Sequence, residues 1–342
     1  MREEVRARGL FARGVGGHPI LVMLSGGRDS TCLLDIAVAL LGARAVGALH
    51  VNYGLRAQAD EDERHCAALC EQLGVALEIA RAEPAEAPGV PGRGLAEDAR
   101  PGAGLAEDAQ PQPGNLHAWA RELRYARAHE IAQERDALIA AGHTSSDQVE
   151  TILYRLAASP GRRALLGMPA EEGRLIRPLL GVSREQTAAY CLERDLAWRE
   201  DDSNDDPRFA RARVRGALVP ALRTIHPAAE ANLLRTAALL REETELLDEL
   251  VEAELAGRGS IALARLRELP AALARMVVVR LAEDATGAFV PQAGDRVQEI
   301  LALAGRSPVG RGGRAELHVG GQAGAVIDHG ELRMVRLPPR AS

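Results

Sequence analysis

Hydrophobic and polar positions alternate in blocks along the first 160 residues. "ILVML" at 20–24 is an apolar run of strand length, and "STCLLDIAVALLG" at 30–42 then repeats apolar residues at three- and four-residue spacing, which predicts a helix. The same pairing returns with "RAVGALHVN" at 44–52 before "DEDERHCAALCEQLG" at 60–74. "VALEIA" at 75–80 is a third strand. A helix at 115–135, a strand in "DALIAAGH" at 136–143 and a helix in "SDQVETILYRLA" at 146–157 complete the series. Continuous apolar strands separated by amphipathic helices predict a parallel sheet with helices on both faces, an α/β fold class. Ligands in such sheets sit beyond the carboxyl ends of the strands. From about Leu218 the pattern is mostly helical, and at "AELHVGGQAGAVIDHGELRMVRL" it changes to short strands with Gly turns. The expected division is a sheet domain over 1–216, a helical linker over 217–255 and a mostly helical α+β C-terminal domain over 256–342.

Composition adds several limits. A chain of 342 residues is long enough for two domains. Residues 84–114 stand apart, because "VPGRGLAEDA" is followed at once by "RPGAGLAEDA" in Pro- and Gly-rich surroundings, and they are expected to form a flexible surface insertion. No apolar segment reaches membrane-spanning length, and no apolar core follows the charges of "MREEVRARGLFARG", which points to the cytoplasm and away from membranes. Cys32, Cys66, Cys70 and Cys191 lack metal-finger spacing and are read as reduced thiols. All 42 basic residues are arginine, so a Walker A lysine or a Schiff-base lysine is excluded. The net charge of −6 argues against a general nucleic-acid binder, yet 207–229 carries five arginines and no acid.

Two stretches carry candidate chemistry. In "LSGGRDST" at 24–31, a strand ends and a helix begins within a few residues, so unpaired backbone N–H groups converge on one spot suited to phosphate. Ser25, Gly26, Gly27, Arg28, Asp29 and Ser30 are the candidate binding residues. Asp29 would repel phosphate unless a cation lay between them, which implies bound Mg2+. In "GHTSSDQVET" at 142–151, positions 143, 147 and 150 share one side of a helix while Val149, Ile152, Leu153 and Leu156 form an apolar stripe. His143, Asp147 and Glu150 are therefore expected to face a ligand. Two acids one turn apart suit an amino group.

"SGGRDS" resembles the pyrophosphate (PP) loop of the ATP pyrophosphatase superfamily. Together with "HVNYGLR" at 50–56, "NLHAWARELRY" at 115–125, "GHTSSDQVET", "IRPLLGVSREQTAAYC" at 176–191 and "EDDSNDDPRFARARVR" at 200–215, it resembles the tRNA(Ile)-lysidine synthetase family in the family's order. That resemblance implies that ATP, with Mg2+, adenylates the oxygen on carbon-2 of the wobble cytidine in a tRNA(Ile) bearing a CAU anticodon. Free L-lysine then attacks that carbon, giving lysidine and AMP. It also implies that Asp147 and Glu150 hold the lysine with Arg124 beside them, that Asp29 holds the magnesium, and that Arg208, Arg211 and Arg215 contact tRNA with help from 256–342. His143 is read equally as a general base and as a structural or nucleotide-contacting residue. A homodimer fits this reading. The chain departs from the family pattern at Ala158, Ser159, Pro160 and Gly161, and at Tyr53, His117, Ser146 and Ala212. Three alternatives stay open: a thiolase of the same superfamily, which would need sulfur-handling cysteines where Cys66 and Cys70 lie far from the loop along the chain; an amidotransferase-type synthetase; and a paralogue that binds tRNA without modifying it.

Overall fold

β1 (Ile20–Met23) is buried at every position, so neither of its faces meets water. In the computed structural model it is paired in parallel on one side with β2 (Val46–Asn52) and on the other with β4 (Leu138–Ala140). β3 (Ala76–Arg81) extends the sheet beyond β2. A short hairpin, β5 (Glu171–Glu172) and β6 (Leu175–Ile176), completes the order β3-β2-β1-β4-β6-β5, with β5 the antiparallel edge. The structure describes residues 1–7, 9–11, 18–54, 58–82, 116–159, 161–200, 210–306 and 315–338. The repeat insertion, Pro160 and Arg208 lie outside them.

The helices cover the sheet because their apolar spacing supplies a face for it. After α1 (Arg2–Ala7), α2 (Arg28–Leu41) places Cys32, Leu33, Leu34 and Ile36 wholly inside one core, where each large aliphatic side chain contributes about 2 kcal/mol by leaving water. α3 (Ala59–Leu73) adds Cys66 and Leu69 to that core. α4 (Leu116–Glu134) contributes Ala128 and Ala132 to a second core, against Leu21, Leu49 and Ile139. α5 (Ser145–Ala158) buries Val149, Ile152 and Leu153, whereas Leu156, expected in the same stripe, is 58% exposed. α6 (Arg184–Glu193) packs Tyr190 and Cys191 into the first core.

The strand order reverses at β1, whose two neighbours continue in opposite directions. In parallel sheets ligands sit at the carboxyl ends of the strands beside such a reversal. Both candidate stretches leave from these two strand ends.

The described residues form two compact units, one within 1–238 and the other within 239–342. In the first, α7 (Ala210–Arg213) runs into a π-helical stretch over Val214–Leu218 and then α8 (Val219–Ile225). The unit boundary falls inside α9 (Ala229–Leu255). In the second unit, β7 (Ser260–Ala262), β10 (Glu331–Arg336), β9 (Ala323–Asp328) and β8 (Ala315–Gly320) form an antiparallel sheet in that order. α10 (Leu263–Glu268), α11 (Ala271–Thr286), α12 (Gln292–Asp295) and α13 (Val297–Arg306) complete it, with Val277, Val278, Ile300 and Leu332 in its core. β7 was not legible as a strand; only its pairing to β10 makes it one.

Candidate functional site

The loop after β1 is a narrow backbone turn braced by two hydroxyls. Gly26 has φ +81, and a Cβ there would stand 3.2 Å from the Cys66 Sγ, so only glycine fits. The Ser25 N–H donates to the Ser30 Oγ at 3.2 Å, the Ser30 hydroxyl donates to the Gly27 carbonyl at 2.9 Å, and the Gly27 N–H donates to the Ser25 Oγ at 3.3 Å. Gly27 caps α2 without any side-chain hydrogen bond. The positive end of α2 is thus presented through backbone alone, as phosphate recognition requires.

The loop after β4 lies against that turn. A Cβ at Gly142 would meet the Ser30 nitrogen at 3.1 Å and the Asp29 carbonyl oxygen at 3.2 Å, so the two backbones approach as closely as glycine permits. Here the helix start is closed by its own side chains. The Thr144 N–H and hydroxyl donate to the Asp147 Oδ2 at 2.7 and 2.8 Å, and the Asp147 N–H donates back to the Thr144 Oγ1 at 3.4 Å. This reciprocal box satisfies the Thr144 and Asp147 amides, and the Ser145 N–H donates to the Val182 carbonyl at 2.8 Å.

A third element joins the two loops. Arg184, the first residue of α6, donates to the Asp147 Oδ1 through Nη2 and to the Glu150 Oε1 at 2.6 Å through Nη1. Its Nε is 3.9 Å from the Asp29 Oδ2. The Thr187 hydroxyl, one turn on, donates to the Asp29 Oδ1 at 2.5 Å. Glu150 is only 5% exposed and is also held by Arg215, delivered by the π-helical stretch, whose Nε donates to the same Oε1 at 2.8 Å and whose Nη2 donates to Oε2 at 3.2 Å.

These neighbours set the protonation states. Burial raises the Asp29 pKa, against the pull of Thr187, Arg28 and Arg184. Burial also favours neutral Asp147, but Arg184, His143 and the Thr144 donors outweigh it and hold its carboxyl below the ordinary range. His143 is pushed down to about 4 by burial, helped by Arg177, Arg121 and Arg124 and opposed by Asp147. Its buried Nδ1 finds no hydrogen-bond partner among the described residues. At neutral pH this imidazole is uncharged, and the same burial makes it a weak base.

A family profile described as a PP-loop domain matches residues 3–222. Proteins named tRNA(Ile)-lysidine synthase are similar over much of the chain: that of Gloeobacter violaceus is 35% identical over 300 residues, covering 82% of this chain and 81% of its own. The chain belongs to the tRNA(Ile)-lysidine synthase family of PP-loop proteins. The synthase of Salinispora arenicola is 39% identical, covering 70% of this chain and 67% of its own. That of Pseudomonas fluorescens is 37% identical, covering 68% and 48% respectively, so the chain spans about half the length of such relatives. Among solved structures, the U34-tRNA thiolase NcsA of Methanococcus maripaludis has a TM-score of 0.50 at 16% identity, covering 70% of this chain and 77% of its own; it speaks for the fold alone.

Within this PP-loop frame, the structure brings Ser25–Ser30, His143, Asp147 and Glu150 together at one end of the sheet. It does not leave the two acids of α5 free, because both are ion-paired. Arg124 lies on α4, with its guanidinium 5.8 Å from the Tyr125 ring centroid and close enough to depress His143. Arg211 is turned toward α5, its Nη2 3.5 Å from the Thr151 Oγ1, and Arg215 is turned onto Glu150; neither is a simple solvated cation. Cys66, distant from the loop in sequence, packs directly beneath Gly26. Burial raises its thiol to about 12 and that of Cys70 to about 11, so neither is a ready thiolate. Among the departures from the family pattern, the Tyr53 hydroxyl donates to the Ala120 carbonyl at 2.9 Å, and the Ser146 hydroxyl accepts the Arg184 N–H at 3.3 Å. Trp119 sits edge-on to Tyr53 at 6.0 Å, and Trp198 packs against the first core.

Arg184 and Thr187 were missed from sequence. Their signal was the "SREQT" start of α6, which reads as a capping box between Ser183 and Gln186 and forms one, while Arg184 inside the box and Thr187 just after it turn into the site.

Among the described residues no three His, Cys, Asp or Glu side chains cluster as a metal cage. A lone carboxylate at the phosphate loop is the donor set expected of a magnesium ion that arrives with its phosphates, and Asp29 fits that description.

Proposed function

We propose that the protein ligates L-lysine to carbon-2 of the wobble cytidine in a CAU-anticodon tRNA(Ile), using ATP and Mg2+. The observation that carries this reading is the contact at Gly142, which sets a bare helix start beside an acidic helix face. ATP supplies the adenylyl group that turns the cytidine oxygen into a leaving group. The α2 N-terminus and the turn around Gly26 and Gly27 bind the phosphates, and Asp29 holds the magnesium. Asp147 and Glu150 orient the lysine amine, and His143, uncharged at neutral pH, places no competing cation beside it. Arg124 helps to keep that imidazole neutral. Residues 256–342 and the arginines 208–223 would hold the tRNA, which implies a cytoplasmic setting.

The test is incubation of the protein with ATP, Mg2+, labelled lysine and CAU-anticodon tRNA, followed by nucleoside analysis. Labelled lysidine is the expected product. Pyrophosphate release with sulfur transfer and no lysine incorporation would favour the thiolase reading, and tRNA binding without turnover the non-catalytic paralogue.

A further inference from the structure

Three carboxylates at the site share one guanidinium. Arg184 contacts Asp147 and Glu150 and lies 3.9 Å from Asp29, so a single side chain touches the phosphate loop and the acidic helix together. Arg28 neutralises Asp29 from its other side at 3.3 Å, and Arg215 neutralises Glu150. Counted locally, Asp29, Asp147 and Glu150 face Arg28, Arg184 and Arg215. Among the described residues, each of these three acids already has an arginine beside it where an incoming ammonium would bind.

An ammonium ion entering this site competes with a bidentate guanidinium, and it also desolvates in a partly buried crevice. The competition is lost unless Arg184 is drawn elsewhere. Phosphate oxygens bound at the start of α2 are the nearest alternative acceptors, because the Nε of Arg184 already lies beside Asp29 of that loop. Arginine suits such an exchange, since its fork matches carboxylate and phosphate alike. A cation held by Asp29 would also repel the guanidinium.

We propose that Arg184 is an exchangeable counter-ion that makes amine binding at Asp147 and Glu150 conditional on nucleotide at the α2 loop. In the free protein it occupies the amine's place; with nucleotide bound it turns to the phosphates and the acid pair becomes available. Thr187 stays on Asp29 and anchors α6 while the longer side chain moves. Arg184 is thus a positioning residue, and the consequence is an order of binding, nucleotide before amine. This rests on the lysine-ligation reading above.

The test is calorimetric titration of free L-lysine into the full chain with Mg2+, in the presence and absence of a non-hydrolysable α,β-methylene ATP analogue. The expected result is an affinity at least about fivefold higher with the analogue. In Arg184→Gln, lysine affinity without nucleotide should rise and the analogue's effect should fall below about twofold. Arg184→Lys, which retains one charge and so the better chance of folding, should show an intermediate dependence. Lysine binding that ignores the analogue in the unaltered protein, which needs no variant to fold, overturns the proposal and leaves the lysine-ligation reading standing. Absence of lysine binding in every state overturns both.

Discussion

Two helix starts meet at the mouth of this sheet, and they are built in opposite ways. α2 begins at Gly27 with no side-chain cap, while α5 begins at Thr144 with a closed box of its own side chains. The unfilled amides of α2 make it a place for an outside anion. α5 has its start closed by its capping box and by the Val182 carbonyl, and what it offers is a pair of carboxylates locked to Arg184 and Arg215. On the proposed reading, the difference teaches that phosphate can be met by backbone alone, whereas an amine calls for charges whose partners stay close so that no partly buried anion is left unpaired.

Breaking the bare side of the comparison should have the largest effect. Gly26→Val places a branched Cβ at φ +81, where a Cβ already falls 3.2 Å from the Cys66 Sγ. ATP-dependent pyrophosphate release should drop at least about 100-fold, equivalent to about 2.7 kcal/mol in the barrier. A variant with normal release would show that the turn does not need glycine.

Breaking the paired side should cost stability instead. Glu150→Gln leaves Arg184 and Arg215 with one anion fewer, and the melting transition should report a loss of about 2 kcal/mol, less than for a sealed pair because Arg215 is 32% exposed. An unchanged melting temperature would mean that the pairing contributes nothing.

A titration sharpens the same contrast. His143 binds a proton at about 4 in the folded protein and near 6.5 when unfolded, so the unfolded chain holds more protons between those values and stability must fall as pH falls through that window. Lowering the pH from 7 to 5 should remove up to about 2 kcal/mol from this group, with no further loss from it below about 4. The difference should vanish in His143→Gln; if the variant retains the full acid loss, the imidazole is not the cause.

The smallest effects separate the two helix starts directly. Thr144→Ala should destabilise by about 1 kcal/mol in thermal unfolding. Gly27→Ser adds a side chain where the backbone is extended at φ −75 and the nearest atom to a Cβ is 3.4 Å away, so stability should change by less than about 0.5 kcal/mol. ATP affinity should nevertheless fall, because the new hydroxyl caps the amides that the nucleotide needs. Unaltered ATP affinity would return α2 to the status of an ordinary strand-to-helix turn.

This contrast also explains what the sequence made legible. The loop's chemistry is carried by consecutive residues, so "SGGRDS" displays it directly, and the alternating apolar blocks likewise fix β1 to β4 and the helices between them. Asp147 and Glu150 were visible as a pair, but their partners come from α6 and the π-helical stretch, 37 and 65 residues away from Asp147 and Glu150 respectively. No local pattern encodes such pairing. The same is true of Cys66 under Gly26, of the two-residue strands β5 and β6, and of β7, each of which exists through contacts with distant segments.

The central claim is that the two helix starts serve two different substrates in one reaction, and Glu150→Gln separates them most directly. With Mg2+, ATP and CAU-anticodon tRNA, and at a temperature below the variant's melting point, tRNA-dependent pyrophosphate release and labelled-lysine incorporation are measured side by side. The account predicts that pyrophosphate release persists within about threefold while lysine incorporation falls at least about 100-fold, as expected for losing a charge that faces the amine and does not touch the phosphate loop. Equal loss of both, or loss of neither, would contradict it.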